Sequence, residues 1–325
     1  MHPQTWPEDL DDADKNVIVI GSGSTAATLM PAIAGACKHV TELQRSPTNC
    51  WAGRNEDELA DTLRKLEVDE VWIHEMVRRK LLHDQEAVTR LSFDEPEFLP
   101  DELINAVREL LPPCYDVETH STPKYRPWRQ RLAFVPDGDL FQGISSGKAS
   151  MVTDEIDSFT ENGIVLKSGV ELAADIIVTA TGFNLSVLGD IDFVVDGAPL
   201  DFANTETYRG MMFTGVPNMR WVFGYFRASW TLRADLISNF VCRLLNHMRE
   251  LGAAKVTPAL RVEDVDMPIL PWIDPENFNP GYLMRGIRLL PHRGDNPECQ
   301  HTQDYWTEMV ALPAAELDDG CLVYD

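Results

Sequence analysis

The chain has 325 residues, of which 44% are hydrophobic, and a formal net charge of −24. A chain of this length holds roughly two or three domains, and its apolar content is sufficient for a sizeable core, so wholesale disorder is excluded. Because 52 acidic residues outnumber 28 basic ones, the surface repels phosphate backbones and anionic bilayers. Neither nucleic acid nor a membrane surface is therefore an expected partner.

The sequence shows no targeting or metal-binding pattern. No apolar run approaches the roughly 18–20 residues of a membrane span, and residues 1–14 are acidic and lack the apolar core of a signal peptide. The six cysteines have no CxxC spacing, which excludes a zinc ribbon or a redox dithiol of the usual kind. We expect a cytoplasmic protein with reduced cysteines and no metal site.

The chain opens with a β-α-β pattern. Residues 1–14 read as an extended leader, and residues 17–20 form a continuous apolar strand that ends at Gly21. Small residues over about 24–37 predict a helix, and residues 39–44 predict a second strand.

Helical patterns dominate the next region. Apolar residues at helical spacing predict a helix over about 55–82, and a second helix over 101–111 is ended by two prolines. We interpret residues 50–115 as a helical insertion in the α/β domain. An aromatic, basic loop over 114–130 follows.

Strand signals then return. Residues 131–135 predict a strand, and residues 151–159 and 164–167 flank Asn162-Gly163, a pair typical of hairpin turns. These patterns extend the α/β character of the chain.

The last predicted elements are one strand and one long helix. A buried strand over 175–179 leads into Thr181 and Gly182. Residues 230–251 carry apolar side chains at helical spacing, which predicts an amphipathic helix with Ser229 at its N-cap. The proline-rich tail from residue 252 is predicted to be irregular.

The turn between the first strand and the first helix reads GxGxxA. It consists of Gly21, Ser22, Gly23, Ser24, Thr25 and Ala26. In such a motif the first glycine permits a tight turn, the second leaves room for a pyrophosphate, and the alanine keeps the helix near the strand. The helix N-terminus offers free N–H groups and a positive dipole to the phosphates. The context predicts a dinucleotide site; the alternative is a glycine-rich turn in an empty β-α-β unit.

The end of the second strand distinguishes the two nicotinamide nucleotides. An NAD site has an acidic residue there to bind the ribose, whereas this strand ends in Gln44, Arg45 and Ser46. Arg45 can pair with a 2′-phosphate through its planar guanidinium, and Ser46 can donate a further hydrogen bond. This favours NADP(H), with a solvated strand-end charge as the alternative for Arg45. Glu42 lies two residues inside the strand and is expected to miss the ribose.

Ordered segments along almost the whole chain resemble one enzyme family. The segments are HPQTWPEDLD at 2–11, VIVIGSGSTAATL at 17–29, VTELQRSP at 40–47, QRLAFVPDGDLF at 130–141, DIIVTATGFN at 175–184, YRGMMFTGVPN at 208–218, ASWTLRADL at 228–236 and VCRLLNHM at 241–248. Together they resemble the class B flavoprotein monooxygenases, which include the flavin-containing and Baeyer–Villiger monooxygenases. Within this family they are most similar to the ethionamide-activating, EthA-type branch.

The resemblance implies an α/β fold with a Rossmann-like NADP(H)-binding domain and the C-terminal part of a split FAD-binding domain. It predicts a linker remnant at 1–14 and an NADP(H)-binding domain at 15–182 with its helical insertion at about 50–115. The FAD-domain part is expected at 183–251, followed by a C-terminal tail at 252–325.

The resemblance also assigns roles to residues. Arg131 matches the family's active-site arginine; the alternative is an arginine in a surface ion pair. Thr181 and Gly182 belong to the ATG-type segment that joins the nucleotide domains. His2 and Trp6 match the end of the Baeyer–Villiger fingerprint FxGxxxHxxxW. The front of that fingerprint and the family's first GxGxxG would precede this chain, so we expect the N-terminal FAD-binding segment to be absent.

The implied activity is an FAD- and NADPH-dependent monooxygenation. In the family, NADPH reduces FAD, and the reduced flavin captures O₂ as a C4a-peroxyflavin, which oxygenates a heteroatom or performs a Baeyer–Villiger oxidation. Sulfides, thioamides, amines and ketones are all candidate substrates. The alternatives are a stand-alone NADP(H)-binding module, or an inactive remnant that a separate FAD-domain chain completes.

Overall fold

The computed structural model describes residues 1–325 and divides the chain into two units. The first unit is Met1–Phe183 and the second is Asn184–Asp325. No helix in either unit combines the length and the apolar character needed to cross a bilayer.

The first unit alternates strands with helices. Its strands are β1 (Asn16–Ile20), β2 (His39–Gln44), β3 (Cys50–Gly53), β4 (Ala133–Pro136), β5 (Ala149–Thr153), β6 (Ile156–Thr160), β7 (Gly163–Leu166), β8 (Glu171–Ala173) and β9 (Ile176–Thr179). Its helices are α1 (Ser24–Ala34), α2 (Glu58–Lys65), α3 (Glu70–Asp94), α4 (Phe98–Leu110), α5 (Val117–His120) and α6 (Asp139–Ser145), with a 3₁₀ turn at Pro3–Thr5.

Four strands form one parallel sheet in the order β5–β2–β1–β9. Ile18 of β1 lies opposite Thr41 of β2 on one side and Ile177 of β9 on the other. Parallel sheets of this kind are covered on both faces, and their central strands are continuously apolar. The expected α/β class with a parallel sheet is confirmed.

Both faces of β1 are buried in separate apolar clusters. Val17 and Val19 pack in the cluster that contains Ala26 of α1, whereas Ile18 and Ile20 pack in the cluster that contains β7. This two-sided burial explains why the strand is an unbroken apolar run. The run ends at Ile20, and the chain leaves the sheet there.

The insertion differs in detail from its predicted pattern. The predicted helix over about 55–82 is two helices, α2 and α3, because the Asp69 carboxylate accepts the Val71 N–H at 2.9 Å and begins a new helix. α3 buries only Ile73 and Ser92 fully, so its apolar periodicity does not reveal that it continues to residue 94. The strand β3, which pairs in parallel with β4, was not predicted.

The predicted strand over 151–159 is two strands in two different sheets. β5 belongs to the parallel sheet, whereas β6 pairs antiparallel with β7. Asp154 lies between β5 and β6, where the chain turns. Its carboxylate accepts hydrogen bonds from the N–H groups of Glu155 and Ser168. The predicted hairpin at Asn162-Gly163 connects β6 to β7.

The second unit has short strands and one long helix. Its strands are β10 (Val194–Val195), β11 (Ala198–Pro199), β12 (Thr207–Tyr208), β13 (Met212–Phe213), β14 (Val256–Pro258), β15 (Leu270–Pro271), β16 (His292–Arg293) and β17 (Leu322–Tyr324). Its helices are α7 (Trp230–Leu251), α8 (Gly281–Gly286) and α9 (Tyr305–Ala314). These strands form antiparallel pairs, each of two strands.

α7 has the bounds that its sequence predicts. Its apolar face, which includes Phe240 and Leu244, packs in a cluster with Leu312 of α9. Ser229 occupies the N-cap, but its hydroxyl pairs with the Thr231 hydroxyl at 2.9 Å rather than with a backbone N–H. The prediction of an irregular tail is wrong for α9.

A buried ion pair joins α7 to α9. Arg233 has no exposed surface, and its Nε donates to Glu308 Oε2 at 2.8 Å. The two terminal nitrogens of the guanidinium donate to three backbone carbonyls, those of Arg209, Gly210 and Phe223. A buried guanidinium is tolerated when its donors are satisfied in this way.

We predict that Arg233→Met destabilises the protein by about 3–5 kcal/mol, because it leaves the Glu308 carboxylate buried without a cation, with only the Tyr225 hydroxyl and the Thr302 N–H as donors. Urea denaturation measures this loss. The matched control is Arg249→Met, at an exposed position of the same helix, which should change stability by no more than about 0.5 kcal/mol. Adding Glu308→Gln to Arg233→Met should recover part of the loss. Equal effects of the two single substitutions would contradict the assignment.

Candidate functional site

The turn after β1 requires glycine at its first position. Gly21 has φ +126°, and a Cβ there would clash with the Ala180 carbonyl at the end of β9. The Gly21 N–H donates to the Leu43 carbonyl of β2 at 2.9 Å. The turn is therefore held between the ends of two neighbouring strands.

The second glycine leaves an open space in front of α1. No atom lies within 4 Å of the position that a Gly23 Cβ would take. Gly23 is the N-cap of α1, and no side chain caps the helix there. The first N–H groups of a helix have no partners within the helix, so this end of the 11-residue α1 can bind an anion.

Of the remaining motif residues, one is buried in the core and two lie at or near the surface. Ala26 is fully buried in the core cluster beside β1, which permits close packing of α1 on the sheet. Ser24 is exposed and Thr25 is half-buried at the start of the helix.

Ser22 joins the turn to the loop after β2. Its hydroxyl donates to the Ser46 carbonyl at 3.0 Å and pairs with the Thr48 hydroxyl at 3.0 Å. The side chains of Arg45 and Ser46 are exposed beside this connection, and no ion pair of the structure involves Arg45. Thr48 was not predicted as a site residue, because it lies outside the motif and reaches it only through the fold.

The third strand end at this edge belongs to β9. It continues into Ala180, Thr181 and Gly182, and Gly182 has φ +92°. Because Gly21 approaches Ala180 closely, the ATG-type segment and the GxGxxA turn are neighbours.

The two fingerprint residues lie in the first unit. The His2 ring stands edge-on to Phe183 at 5.5 Å, and its Nδ1 accepts the Gln4 N–H at 3.2 Å. The Met1 backbone pairs with the outer edge of β9, which holds His2 near the end of that strand. Trp6 packs against the core cluster that contains α1.

Arg131 is half-buried two residues before β4. β4 pairs with β3 in a two-stranded sheet that is separate from the parallel sheet. The structure thus places Arg131 in the same unit as the GxGxxA turn but on a different sheet.

Glu42 points into the protein rather than towards a ribose. Its side chain is 3% exposed and faces a cavity of about 20 Å³, which is space for one or two water molecules. Burial raises the pKa of this carboxyl to about 8, and its Oε2 has no hydrogen-bond partner. That Glu42 misses a bound ribose stays a prediction, and the burial of its side chain supports it.

The GxGxxA turn lies at a switch in the strand order of the parallel sheet. β1 is central, and the chain continues to β2 on one side and later to β9 on the other. Ligands of open α/β sheets bind at such a switch in strand order, outside the carboxyl ends of the strands. The turn, the free end of α1 and the exposed Arg45 all lie at this edge. The fold therefore defines an α/β protein with a GxGxxA turn and an uncapped helix end at the switch in strand order.

Relatives in sequence identify the family. The FAD-containing monooxygenase EthA of Mycobacterium tuberculosis (strain ATCC 25618 / H37Rv) is 43% identical over 320 residues, which are 98% of this chain and 64% of the relative. EthA of Mycolicibacterium smegmatis is 42% identical over 323 residues, which are 99% of this chain and 64% of the relative. The chain belongs to the flavoprotein monooxygenases of the EthA type, and it spans about 64% of the length of these curated relatives.

Two solved structures share the fold of this chain. A complex of OTEMO with FAD and NADP matches 80% of this chain and 58% of its own, with a TM-score of 0.57 and 21% identity. An oxidized steroid monooxygenase bound to NADP matches 79% of this chain and 58% of its own, with a TM-score of 0.59 and 20% identity. No family model matches the chain.

We predict that one added methyl group affects stability strongly at Gly21 and little at Gly23. Gly21→Ala should destabilise the protein by at least about 2 kcal/mol, because its φ is positive and the Cβ clashes with a backbone carbonyl. Gly23→Ala should change stability by no more than about 0.5 kcal/mol, because its Cβ enters open space. Gly23→Ala should nevertheless weaken dinucleotide binding. Thermal unfolding and a nucleotide titration measure the two effects, and similar unfolding midpoints for the two variants would refute this account.

Proposed function

We propose that this chain provides the NADPH-binding domain, and part of the FAD-binding domain, of an FAD- and NADPH-dependent monooxygenase. The observation that carries the proposal is the GxGxxA turn at the switch in strand order of the parallel sheet. This turn lies in a chain of which 98% aligns with an FAD-containing monooxygenase at 43% identity.

The residues present fit NADPH. The open space at Gly23 and the uncapped end of α1 suit a pyrophosphate. Arg45 is an exposed guanidinium without an ion pair, at the strand end where the adenosine ribose of a dinucleotide lies. A 2′-phosphate would supply its partner, and Ser46 would contribute a hydroxyl donor.

The residues present do not complete an FAD site. A second dinucleotide needs its own turn between a parallel strand and a helix, whereas the chain has one GxGxxA motif and the second unit has only antiparallel strand pairs. The pyrophosphate site for FAD would come from residues outside this sequence, either in a longer protein or in a separate FAD-domain chain. When bound, FAD would supply the activation of O₂ that this chemistry needs.

The other candidate residues have supporting roles in this proposal. Arg131 would provide a fixed positive charge at the active site, where it can hold an anionic group. Thr181 and Gly182 would belong to the segment in which the chain passes from the NADPH-binding domain to the FAD-binding domain. His2 and Trp6 would belong to the linker that precedes the NADPH-binding domain.

The proposed substrates are O₂ and a small molecule that carries a sulfide, thioamide, amine or ketone. The strong negative charge of the chain makes nucleic acid an unsuitable partner. We retain the cytoplasm as the proposed location.

A second candidate function is a stand-alone NADP(H)-binding module. Its support is that Met1–Phe183 is one unit with its own core and holds the whole GxGxxA turn. Such a module would bind NADPH and would stay colourless when FAD is added. The monooxygenase form would acquire a flavin spectrum once its FAD-binding residues are supplied.

We predict that Arg45→Ala weakens NADPH binding by about 10- to 100-fold, because a charge-assisted contact with a phosphate is lost. The affinity for NADH, which lacks that phosphate, should change little. Isothermal titration of both nucleotides measures the difference. Lys38→Ala removes an exposed cation just before the other end of β2 and serves as the matched control. Equal losses for NADPH and NADH would show that Arg45 does not recognise the 2′-phosphate.

The visible spectrum with and without added FAD separates the two candidate functions. In a form completed with the FAD-binding residues, we expect a bound-flavin spectrum and NADPH-dependent oxygenation of a test sulfide or ketone. Arg131→Ala should stop product formation while flavin and NADPH remain bound, because the fixed charge is lost. Normal turnover of that variant would remove Arg131 from the active site, and a completed form that binds no flavin would overturn the monooxygenase proposal.

A further inference from the structure

A carboxyl group lies buried directly below the nucleotide-binding turn. Glu42 of β2 shares its cavity with Ser22 of the turn and Thr48 of the following loop. These two residues form the hydrogen bond that joins the turn to the loop after β2. Glu42 therefore lies beside the residues that hold the turn in place.

Nothing in the cavity stabilises an ionised form of Glu42. The side chain is more than nine-tenths buried, no cation pairs with it, and its Oε2 accepts no hydrogen bond. A buried carboxylate without donors is strongly disfavoured, so the group takes up a proton instead. Burial accordingly raises its pKa to about 8.

The other titratable groups around the cavity do not change charge near pH 8. Burial raises the pKa of the Cys50 thiol on β3 to about 12, and it also raises the pKa of the Tyr115 hydroxyl. Burial lowers the pKa of His120 on α5, which keeps that ring neutral. The helices α1, α4 and α6 contribute only uncharged side chains to the cavity. Glu42 is thus the one group of this set that gains charge there.

We propose that Glu42 is a proton-controlled positioning residue for the nucleotide-binding turn, whose neutral form supports NADPH binding and whose carboxylate form weakens it. The inference rests on the proposed NADPH site. A negative charge below the turn opposes the phosphates that the end of α1 would bind, and the low-dielectric surroundings screen it poorly. The carboxylate would also recruit water or compete for the hydroxyls of Ser22 and Thr48, and so loosen the turn.

The binding test compares NADPH titrations between pH 7 and pH 9.5. For the natural sequence, Kd should rise by up to about 30-fold over this range, the factor by which the neutral form of Glu42 is depleted at pH 9.5. Glu42→Gln mimics the neutral acid and should bind NADPH with little dependence on pH. Glu161→Gln, at an exposed position of the same unit, should behave like the natural sequence.

Unfolding without nucleotide provides an independent measurement. The raised pKa means that the folded state holds a proton that the unfolded chain releases above pH 4.5, its ordinary pKa. The contribution of neutral Glu42 to the free energy of unfolding should therefore be at its full value below about pH 4.5. It should fall as the pH rises from about 4.5 to about 8, and it should not change further above about pH 8. The stability difference between the natural sequence and Glu42→Gln should follow this course. If the variant does not fold, NMR of the natural chain with ¹³C-labelled glutamate should show one carboxyl that titrates near pH 8.

Each outcome decides a different point. Binding with the same pH profile in the natural sequence and in Glu42→Gln overturns the role of Glu42 while leaving the NADPH site intact. Weak binding by Glu42→Gln at every pH, or the lack of a glutamate that titrates near pH 8, also overturns that role. An absence of NADPH binding at every pH in all three proteins overturns the proposed function itself. In that case the unfolding curves still show whether Glu42 is neutral in the folded chain.

Discussion

The close approach of the Gly21 backbone to the Ala180 carbonyl is the constraint on which the candidate site depends. It brings the end of β1 against the end of β9, and it requires a residue without a side chain at a positive φ. The Gly21 N–H and the Ser22 hydroxyl connect the same turn to β2 and its following loop. Three strand ends thus meet around one turn, and α1 starts from it with its free N–H groups directed outward.

The candidate site has local positive charge, although the chain as a whole is strongly negative. A protein with a net charge of −24 repels anionic ligands at long range, so a nucleotide site on it needs local positive character. The end of α1 supplies a partial positive charge, and Arg45 supplies a full one. The neutral state of Glu42 removes a negative charge that would otherwise lie below them. In the second unit, a positive and a negative side chain are instead buried together. Arg233 donates hydrogen bonds to Glu308 and to three backbone carbonyls.

Local patterns predicted well where one physical signal was strong. The apolar run of β1, the Asn162-Gly163 hairpin and the amphipathic α7 all appear as expected, because burial or backbone conformation leaves a clear periodicity in each. The elements that were missed carry weak signals. α3 is mostly exposed, and β3 is a short strand whose paired residues in β4 lie 83 positions further along the chain. The one apparent strand over 151–159 divides between two sheets at Asp154, whose carboxylate accepts two backbone N–H groups.

The family, the α/β class and the GxGxxA turn are predictable without a structure, because each depends on short segments whose residues are close together in the chain. The preference for NADP(H) also came from a local feature, the Arg45-Ser46 pair after β2. The assembled fold is needed to see that Thr48 holds the turn, that Ala180 abuts Gly21, and that Glu42 is enclosed without a partner. These relations join residues far apart in sequence, and burial and mutual distance become defined only when the strands are assembled.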